Sequence, residues 1–130
     1  MAKKTIKQRP QVGVLGKFIT RRSRGQCELC EAREGTMLFE LVPFPEDPDP
    51  DRTLLACARC RDWLERETMD PIEAHFLSSA VWHEEPAVRL AAARILLSHE
   101  DVSDPWLADA LDAAGVDPRT REFRATEEHA

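Results

Sequence analysis

The chain has 130 residues, of which 42% are hydrophobic and 32% charged, and its formal net charge is −6. This composition is typical of a globular protein, and the length fits one domain or a small domain with an appendage. A chain of this length is long enough to bury a hydrophobic core. No apolar run approaches the roughly 20 residues of a membrane helix, and no signal-type apolar stretch follows the basic N-terminus, so we expect a cytoplasmic protein without a membrane partner.

The beginning of the chain is purely basic. Residues 1–26 hold eight basic residues and no acid, whereas the rest of the chain holds ten basic residues and all 24 acids. We expect residues 1–12 to form a flexible basic tail and residues 16–23 to form a short helix that ends near Gly25. A cationic arm suits contact with nucleic acid, the ribosome or an acidic protein, and a solvated tail is the alternative. The candidate contact residues are Lys17, Arg21, Arg22 and Arg24.

Four cysteines follow in two Cys-x-x-Cys pairs, and the chain has no others. The pairs are Cys27 with Cys30 and Cys57 with Cys60, with 26 residues between them. This spacing predicts a tetrahedral sulfur cage around one structural zinc ion. In a reducing compartment it favours a metal over disulfides. Iron also suits a four-sulfur cage, but zinc is the preferred interpretation.

The segment between the two pairs predicts a hairpin with a stiff loop. Residues 37–42 are rich in strand-forming residues, and residues 53–56 form a short return strand. The loop at residues 43–51 contains four prolines and four acids, which exclude a helix or a central strand. A helical pattern follows Cys60. It favours a treble-clef arrangement, in which the last ligands begin a helix, over a zinc ribbon, which ends in a hairpin.

The remainder of the chain is marked by four acid–proline pairs. Proline suits the first position of a helix, and an acid before it can cap free N–H groups and meet the positive end of the helix dipole. We therefore expect helices near residues 71–80, 86–99, 105–114 and 118–127.

The expected helix at residues 86–99 is apolar on two sides. One stripe is formed by Val88, Ala91, Ala92, Ile95 and Leu96, while Leu90 and Leu97 lie on the opposite side. A helix of this kind is usually covered on both faces. We interpret the three tryptophans as core residues: Trp63, Trp82 and Trp106.

Together these elements predict a small α+β fold. A four-cysteine zinc domain over residues 13–68, of treble-clef or zinc-ribbon type with a short β-hairpin, precedes a bundle of about four short helices. This helical region covers residues 69–130 and packs on the zinc domain.

Several segments resemble the PhnA-type zinc-domain proteins of bacteria. The first is residues 22–30 (Arg-Ser-Arg-Gly-Gln-Cys-Glu-Leu-Cys). Similar segments follow at residues 42–45, 55–60, 81–88 and 94–96, so the resemblance covers roughly residues 15–115. It implies a metal-binding bacterial protein. The family name comes from a phosphonate-utilisation operon and does not imply a phosphonate hydrolase.

Residues 24–30 and 54–60 resemble, more distantly, the zinc frame of HNH nucleases. Those enzymes carry a histidine general base on the intervening strand and a further histidine on the following helix. Here residues 39–43 (Phe-Glu-Leu-Val-Pro) contain no histidine, Arg61 follows the last cysteine, and His75 is the first histidine of the chain. The resemblance therefore implies the frame without its catalytic groups.

We expect a non-catalytic zinc protein that binds or regulates another macromolecule through its basic arm, and we assign no catalytic residue. The alternative is a metal-dependent hydrolase, either a diverged HNH-like nuclease or a phosphonate-related enzyme.

Overall fold

The computed structural model describes residues 9–99 and 104–124. Within these ranges it contains five α-helices and one antiparallel pair of strands. The predicted small α+β fold is confirmed at this level. The helices are α1 (Gly16–Ser23), α2 (Ala58–Arg66), α3 (Leu77–Ala80), α4 (Pro86–Leu97) and α5 (Pro105–Ala113). The strands are β1 (Met37–Glu40) and β2 (Thr53–Ala56), and short 3₁₀ turns cover Pro10–Leu15, Pro50–Arg52 and Ala74–Phe76.

The two strands form the predicted hairpin. Met37 lies opposite Ala56, and Glu40 lies opposite Thr53. Every residue of β2 is buried, so the hairpin is covered rather than standing free in solvent. The first strand ends at Glu40, two residues earlier than expected. Beyond it the chain enters the proline-rich loop, where the prolines have no N–H group to donate to a ladder.

Ordered structure begins earlier than the sequence suggested. Residues Pro10–Leu15 form a 3₁₀ turn in which Val12 is buried, and the Arg9 guanidinium is paired with the buried Glu40 carboxylate. Residues 9–12 are therefore not a flexible tail, because this contact fixes them against β1. The rest of that expected tail lies outside the described residues.

Helices α4 and α5 begin at Pro86 and Pro105, as predicted. However, neither preceding acid accepts a capping hydrogen bond with its side chain. The Glu85 carboxylate instead lies 3.5 Å from the Arg22 guanidinium. The capping role that we expected of these two acids is thus wrong, although the helix boundaries are right.

The two other acid–proline pairs form turns. The Asp70 carboxylate accepts a hydrogen bond from the Ile72 N–H at 2.9 Å, and the Asp117 carboxylate accepts one from the Arg119 N–H at 2.9 Å. The first turn leads through Ala74–Phe76 into the short helix α3, so the helix expected at residues 71–80 is largely replaced.

No helix forms over residues 118–124. Val116 and Phe123 form an antiparallel bridge, and the Arg124 N–H donates to the Gly115 carbonyl at 2.8 Å. This local pairing uses backbone groups that a helix would need, and it overturns the expected helix over the described part of residues 118–127. Residues 125–127 lie outside the described residues.

One hydrophobic core joins the hairpin to the helices. The predicted stripe of α4 is buried throughout, and Leu90 and Leu97 pack against the core from the side of the helix that is partly exposed. The same cluster includes Leu54 of β2, Trp63 of α2 and Leu111 of α5. The expected division of the chain between residues 68 and 69 stays a prediction.

The tryptophans do not share one environment. Trp63 is buried and stacks on Phe76, with ring centroids 6.1 Å apart. Trp106 is half-buried and lies against His75. Trp82 is 74% exposed, so its expected place in the core is wrong. Leu77, Ala80 and Val81 take the inward positions at the end of α3, and Trp82 then falls on the outer side.

None of the described helices is both long enough and apolar enough to cross a bilayer.

Candidate metal centre

The two cysteine pairs reach the same place from different elements. Helix α1 ends with Arg24 and Gly25 in the left-handed region, at φ values of 58° and 73°, and the resulting reversal presents Cys27 and Cys30 on a turn. Strand β2 then leads to Cys57, which directly precedes α2, while Cys60 lies in the first turn of that helix. The hairpin therefore brings the distant pairs together.

The four sulfurs form a compact cluster that could hold one metal ion. All four Sγ atoms lie within 4.8 Å of one another, and the Sγ atoms of Cys30 and Cys57 are 3.6 Å apart. A tetrahedral zinc site with Zn–S bonds of about 2.3 Å requires sulfur–sulfur distances of roughly 3.8 Å. No pair forms a disulfide. The donor set and its dimensions thus match a four-thiolate metal site, as the sequence predicted.

Backbone hydrogen bonds shape the first turn around its sulfur. The Cys27 N–H donates to the Ala32 carbonyl, and the Glu31 N–H donates to the Cys27 carbonyl, both at 2.8 Å. The Cys60 thiol and the N–H groups of Cys30, Cys57 and Leu29 donate to the Cys27 sulfur, and against the effect of burial they lower its pKa to about 4. The N–H groups of the turn and of the start of α2 thus favour the ionised form of Cys27.

Cys30 and Cys60 resist ionisation while the sulfurs hold no metal ion. Donation to Cys27, followed by burial, raises the pKa of Cys60, and burial is the main cause that raises the pKa of Cys30. Four thiolates in such a small space repel one another. A dication removes this repulsion, so metal binding and loss of the remaining thiol protons are coupled.

Arg59 is a cation placed beside the cluster. Its guanidinium lies 5.1 Å from the Trp63 ring centroid and 4.9 Å from that of Phe76. Burial acts to lower the pKa of Arg59, but a hydrogen bond to Cys30 and the charges of the cysteines raise it. A four-thiolate cage around a dication carries a net charge of about −2, and Arg59 partly balances it.

A buried ion pair fastens the first cysteine turn to the rest of the fold. The Glu28 carboxylate accepts hydrogen bonds from Nε and Nη2 of Arg22 at 2.8 and 2.9 Å, and from the Leu55 N–H at 2.9 Å. Arg22 also donates to the carbonyls of Pro50 and Thr53. The pair therefore ties α1, the cysteine turn and β2 together at one point.

Of the four basic residues expected to contact a partner, one is used inside the fold and three are exposed. The Arg22 side chain is only 10% exposed, and its donors are used within the protein. We therefore correct its expected role, because it holds the fold together and is not available on the surface. Lys17, Arg21 and Arg24 are exposed.

Glu28 and Arg59 were missed in the sequence-based prediction of the site. Glu28 is the first acid of the chain and lies between two ligands, which is a weak signal for an internal partner of the preceding arginines. Arg59 lies between Cys57 and Cys60, but spacing alone does not show that it packs against two aromatic rings. Each role combines a local partner, Arg22 or Trp63, with one distant in sequence, Leu55 or Phe76.

Within residues 9–99 and 104–124, the four cysteines are the one group of three or more potential ligands close enough to hold an ion. Comparison of the chain with protein-family models, curated proteins and solved structures finds no match. Membership of the PhnA-type family therefore stays a prediction, and the site must be interpreted from its own geometry.

Proposed function

We propose that this chain is a non-catalytic zinc protein whose four-cysteine centre is structural and whose surface binds nucleic acid. The observation that carries the proposal is the closed set of four sulfurs, because it occupies every position of a tetrahedral ion and leaves none for a substrate. A bound zinc ion would supply only a cross-link between the turn at Cys27 and Cys30 and the start of α2.

The position of the second pair supports a treble-clef arrangement. Cys57 directly precedes α2 and Cys60 lies within it, whereas a zinc ribbon would place this pair on a hairpin. The positive end of the helix dipole also faces the thiolates there, which lowers the cost of collecting negative charge. A PhnA-type origin is compatible with this arrangement and belongs to the proposal.

The outer face of α1 is the proposed binding surface. Lys17, Phe18 and Arg21 are exposed. Lys17 and Phe18 precede Arg21 by four and three residues, which places each of them beside Arg21 on one side of the helix. Arg24 is exposed just beyond its end. No acid occurs before Glu28 in the chain, so the cations of this face have no acidic neighbour within α1, and phosphate groups are the ligands that such a face attracts.

The test measures how tightly the zinc-loaded full chain binds single-stranded RNA and double-stranded DNA over a range of salt concentrations. The triple variant Lys17→Gln/Arg21→Gln/Arg24→Gln removes the proposed contacts. Loss of three phosphate contacts should reduce the slope of log K against log salt by about 2 to 3.

The matched control is Arg33→Gln/Arg66→Gln/Arg119→Gln, which removes the same charge from other exposed positions. Equal weakening by both triple variants would show that only net charge matters and would reject α1 as the surface. Undiminished binding by the α1 variant would reject it as well. If the chain binds an acidic protein but neither RNA nor DNA, the partner of this surface is an acidic protein and not a nucleic acid.

The hydrolase alternative is tested separately with the zinc site filled. Titration with Mg²⁺ and Mn²⁺ should show no further stoichiometric binding, and neither single- nor double-stranded DNA should be cleaved, because no histidine precedes His75 in the chain. Metal-dependent cleavage that survives repurification would overturn the non-catalytic assignment.

A further inference from the structure

We propose that the surface of α1 binds a single-stranded nucleic acid and that Phe18 stacks on one of its bases. This inference rests on the function proposed above and specifies which kind of nucleic acid the surface binds. The proposed function requires only phosphate contacts, which single strands and duplexes both offer.

Phe18 is a large apolar side chain in basic surroundings. The residue is 54% exposed, and it lies in α1 next to Lys17 and three residues before Arg21, which are both exposed. Residues three apart are neighbours on a helix surface. An aromatic ring among cations offers the two features that bind a single strand, a flat apolar face for a base and positive charge for the backbone.

The Phe18 ring is oriented by an arginine that is itself held in place. The Arg22 guanidinium lies over the ring, 5.9 Å from its centroid. Two hydrogen bonds to the Glu28 carboxylate, at 2.8 and 2.9 Å, fix this guanidinium. Because Arg22 is on one side of the ring, the exposed area of Phe18 is on its other face and its edges. A ring that is already oriented loses little conformational freedom when a base stacks on it.

The charges around Arg22 favour a base over a phosphate at this position. The carboxylates of Glu28 and Glu85 lie 2.8 and 3.5 Å from the guanidinium, so they balance its charge and repel a phosphate. A base carries no net charge and is not repelled. The backbone phosphates next to the stacked base would instead meet the exposed cations Lys17 and Arg21.

A base that stacks on Phe18 must be unpaired. In a duplex each base is stacked between its neighbours, whereas the bases of a single strand can turn outward and stack on an aromatic side chain. Only the single strand therefore offers both the base face and the phosphates to this surface without a cost of unstacking.

The competing explanation is that Phe18 is an ordinary exposed hydrophobic residue, since such residues are common on protein surfaces. Phe123 provides an internal comparison. It is 51% exposed, but its neighbour Arg124 is paired with the Asp112 carboxylate at 2.6 Å. The two phenylalanines are similar in exposure and differ in the charge beside them, so we expect only Phe18 to contribute to binding.

The test compares strands that differ only in their bases. The zinc-loaded full chain is titrated with a short single-stranded DNA or RNA, whichever binds more tightly, with the corresponding abasic strand, and with the corresponding duplex. Wild type should bind the complete strand about fivefold or more tightly than the abasic strand, because stacking of one base contributes that much. It should also bind the complete strand more tightly than the duplex. This comparison needs no variant, so it holds even if a substitution of Phe18 disturbs the fold.

The variant Phe18→Leu keeps an apolar side chain and removes the ring. It should bind the complete strand about fivefold or more weakly than wild type and the abasic strand equally well. Phe18→Tyr retains a ring and should bind the complete strand like wild type. Phe123→Leu is the matched control and should leave both affinities unchanged.

Failure of this inference and failure of the proposed function give different results. If Lys17→Gln/Arg21→Gln/Arg24→Gln weakens binding of the complete and abasic strands but Phe18→Leu weakens neither, the phosphate contacts stand and the base contact is overturned. If neither variant weakens binding, both proposals are overturned.

Two further results would overturn the base contact. One is a duplex affinity equal to or higher than that for the single strand, or a duplex affinity that falls in Phe18→Leu, because the ring would then insert between paired bases. The other is an equal loss of affinity for the complete strand in Phe18→Leu and Phe123→Leu.

Discussion

Two parts of this molecule differ in what they add to their common hydrophobic core. The metal region, which we define as residues 9–66, contributes Leu54 and Trp63 to that core and adds polar connections: the four cysteines and the buried pairs of Arg9 with Glu40 and of Arg22 with Glu28. The helical region, residues 69–99 and 104–124, has a core of small and branched apolar side chains, with Ala91, Ala92 and Ala93 of α4 all buried.

The length of the elements determines which interactions stabilise each region. A hairpin of two four-residue strands is marginal by itself, and a polar connection such as Glu28 to Leu55 gains strength only where water is excluded. In the helical region, the alanines of α4 allow neighbouring helices to approach closely, and burial of apolar area supplies most of the stability. Loss of the metal should therefore affect the two regions unequally.

The largest difference between the two regions is expected for the variant Cys57→Ser. Structural zinc sites contribute roughly 10 kcal/mol or more of apparent binding free energy at neutral pH, so loss of a ligand should release the metal and unfold the metal region. Zinc content by elemental analysis and amide exchange of β1 and β2 would report this. The control variant Ala58→Ser changes an exposed neighbour of the ligand and should retain one zinc ion per chain. Full zinc content in Cys57→Ser would refute a four-sulfur site.

The variant Arg22→Met tests the polar fastening without touching a ligand. It leaves the Glu28 carboxylate buried and without its counter-charge, which should cost about 3–5 kcal/mol of the free energy of unfolding. Urea unfolding at saturating zinc measures the loss. Arg21→Met, at an exposed position, should change stability by about 0.5 kcal/mol or less.

A double variant sharpens this prediction. Adding Glu28→Gln to Arg22→Met removes the stranded charge and should recover part of the loss, which a double-mutant cycle would detect as coupling. Equal stability of Arg22→Met and Arg21→Met would show that the pair does not hold the turn in place.

In the helical region, the variant Leu111→Ala tests cohesion by packing. Leu111 is completely buried, and truncation should leave a cavity and cost about 3 kcal/mol. The zinc content should remain at one ion per chain, in contrast to Cys57→Ser. If truncation instead released the metal, the two regions would be one cooperative unit, and their separate modes of cohesion would be disproved.

The smallest effect is expected for Trp82→Ala. Because Trp82 is 74% exposed, its removal should change the free energy of unfolding by about 0.5 kcal/mol or less. Trp63→Ala, at a buried ring stacked on Phe76, should cost about 3 kcal/mol. Similar losses in thermal or urea unfolding for both variants would show that Trp82 is covered in the folded protein.

Features carried by local chemistry were predictable from the sequence. The cysteine spacing identified the cluster, and the prolines at 86 and 105 marked the starts of α4 and α5. The apolar stripe of α4 identified the side that is buried. Each of these depends on residues that are near one another in the chain or on a spacing with few alternative uses.

Other features were decided only when distant segments met. The sequence shows Arg22 in a run of cations with no acid before it, but the tertiary structure places Glu28, Pro50 and Thr53 around it and turns it inward. The acid–proline pair at 117–118 carries the same helix-start signal as those at 85–86 and 104–105, yet pairing of Val116 with Phe123 takes its backbone groups. Spacing and periodicity determined the cysteine cluster, the hairpin and the helices α1, α4 and α5, whereas the environment of each charged or aromatic side chain depended on which neighbours folding supplied, since burial and electrostatic pairing are properties of the assembled core.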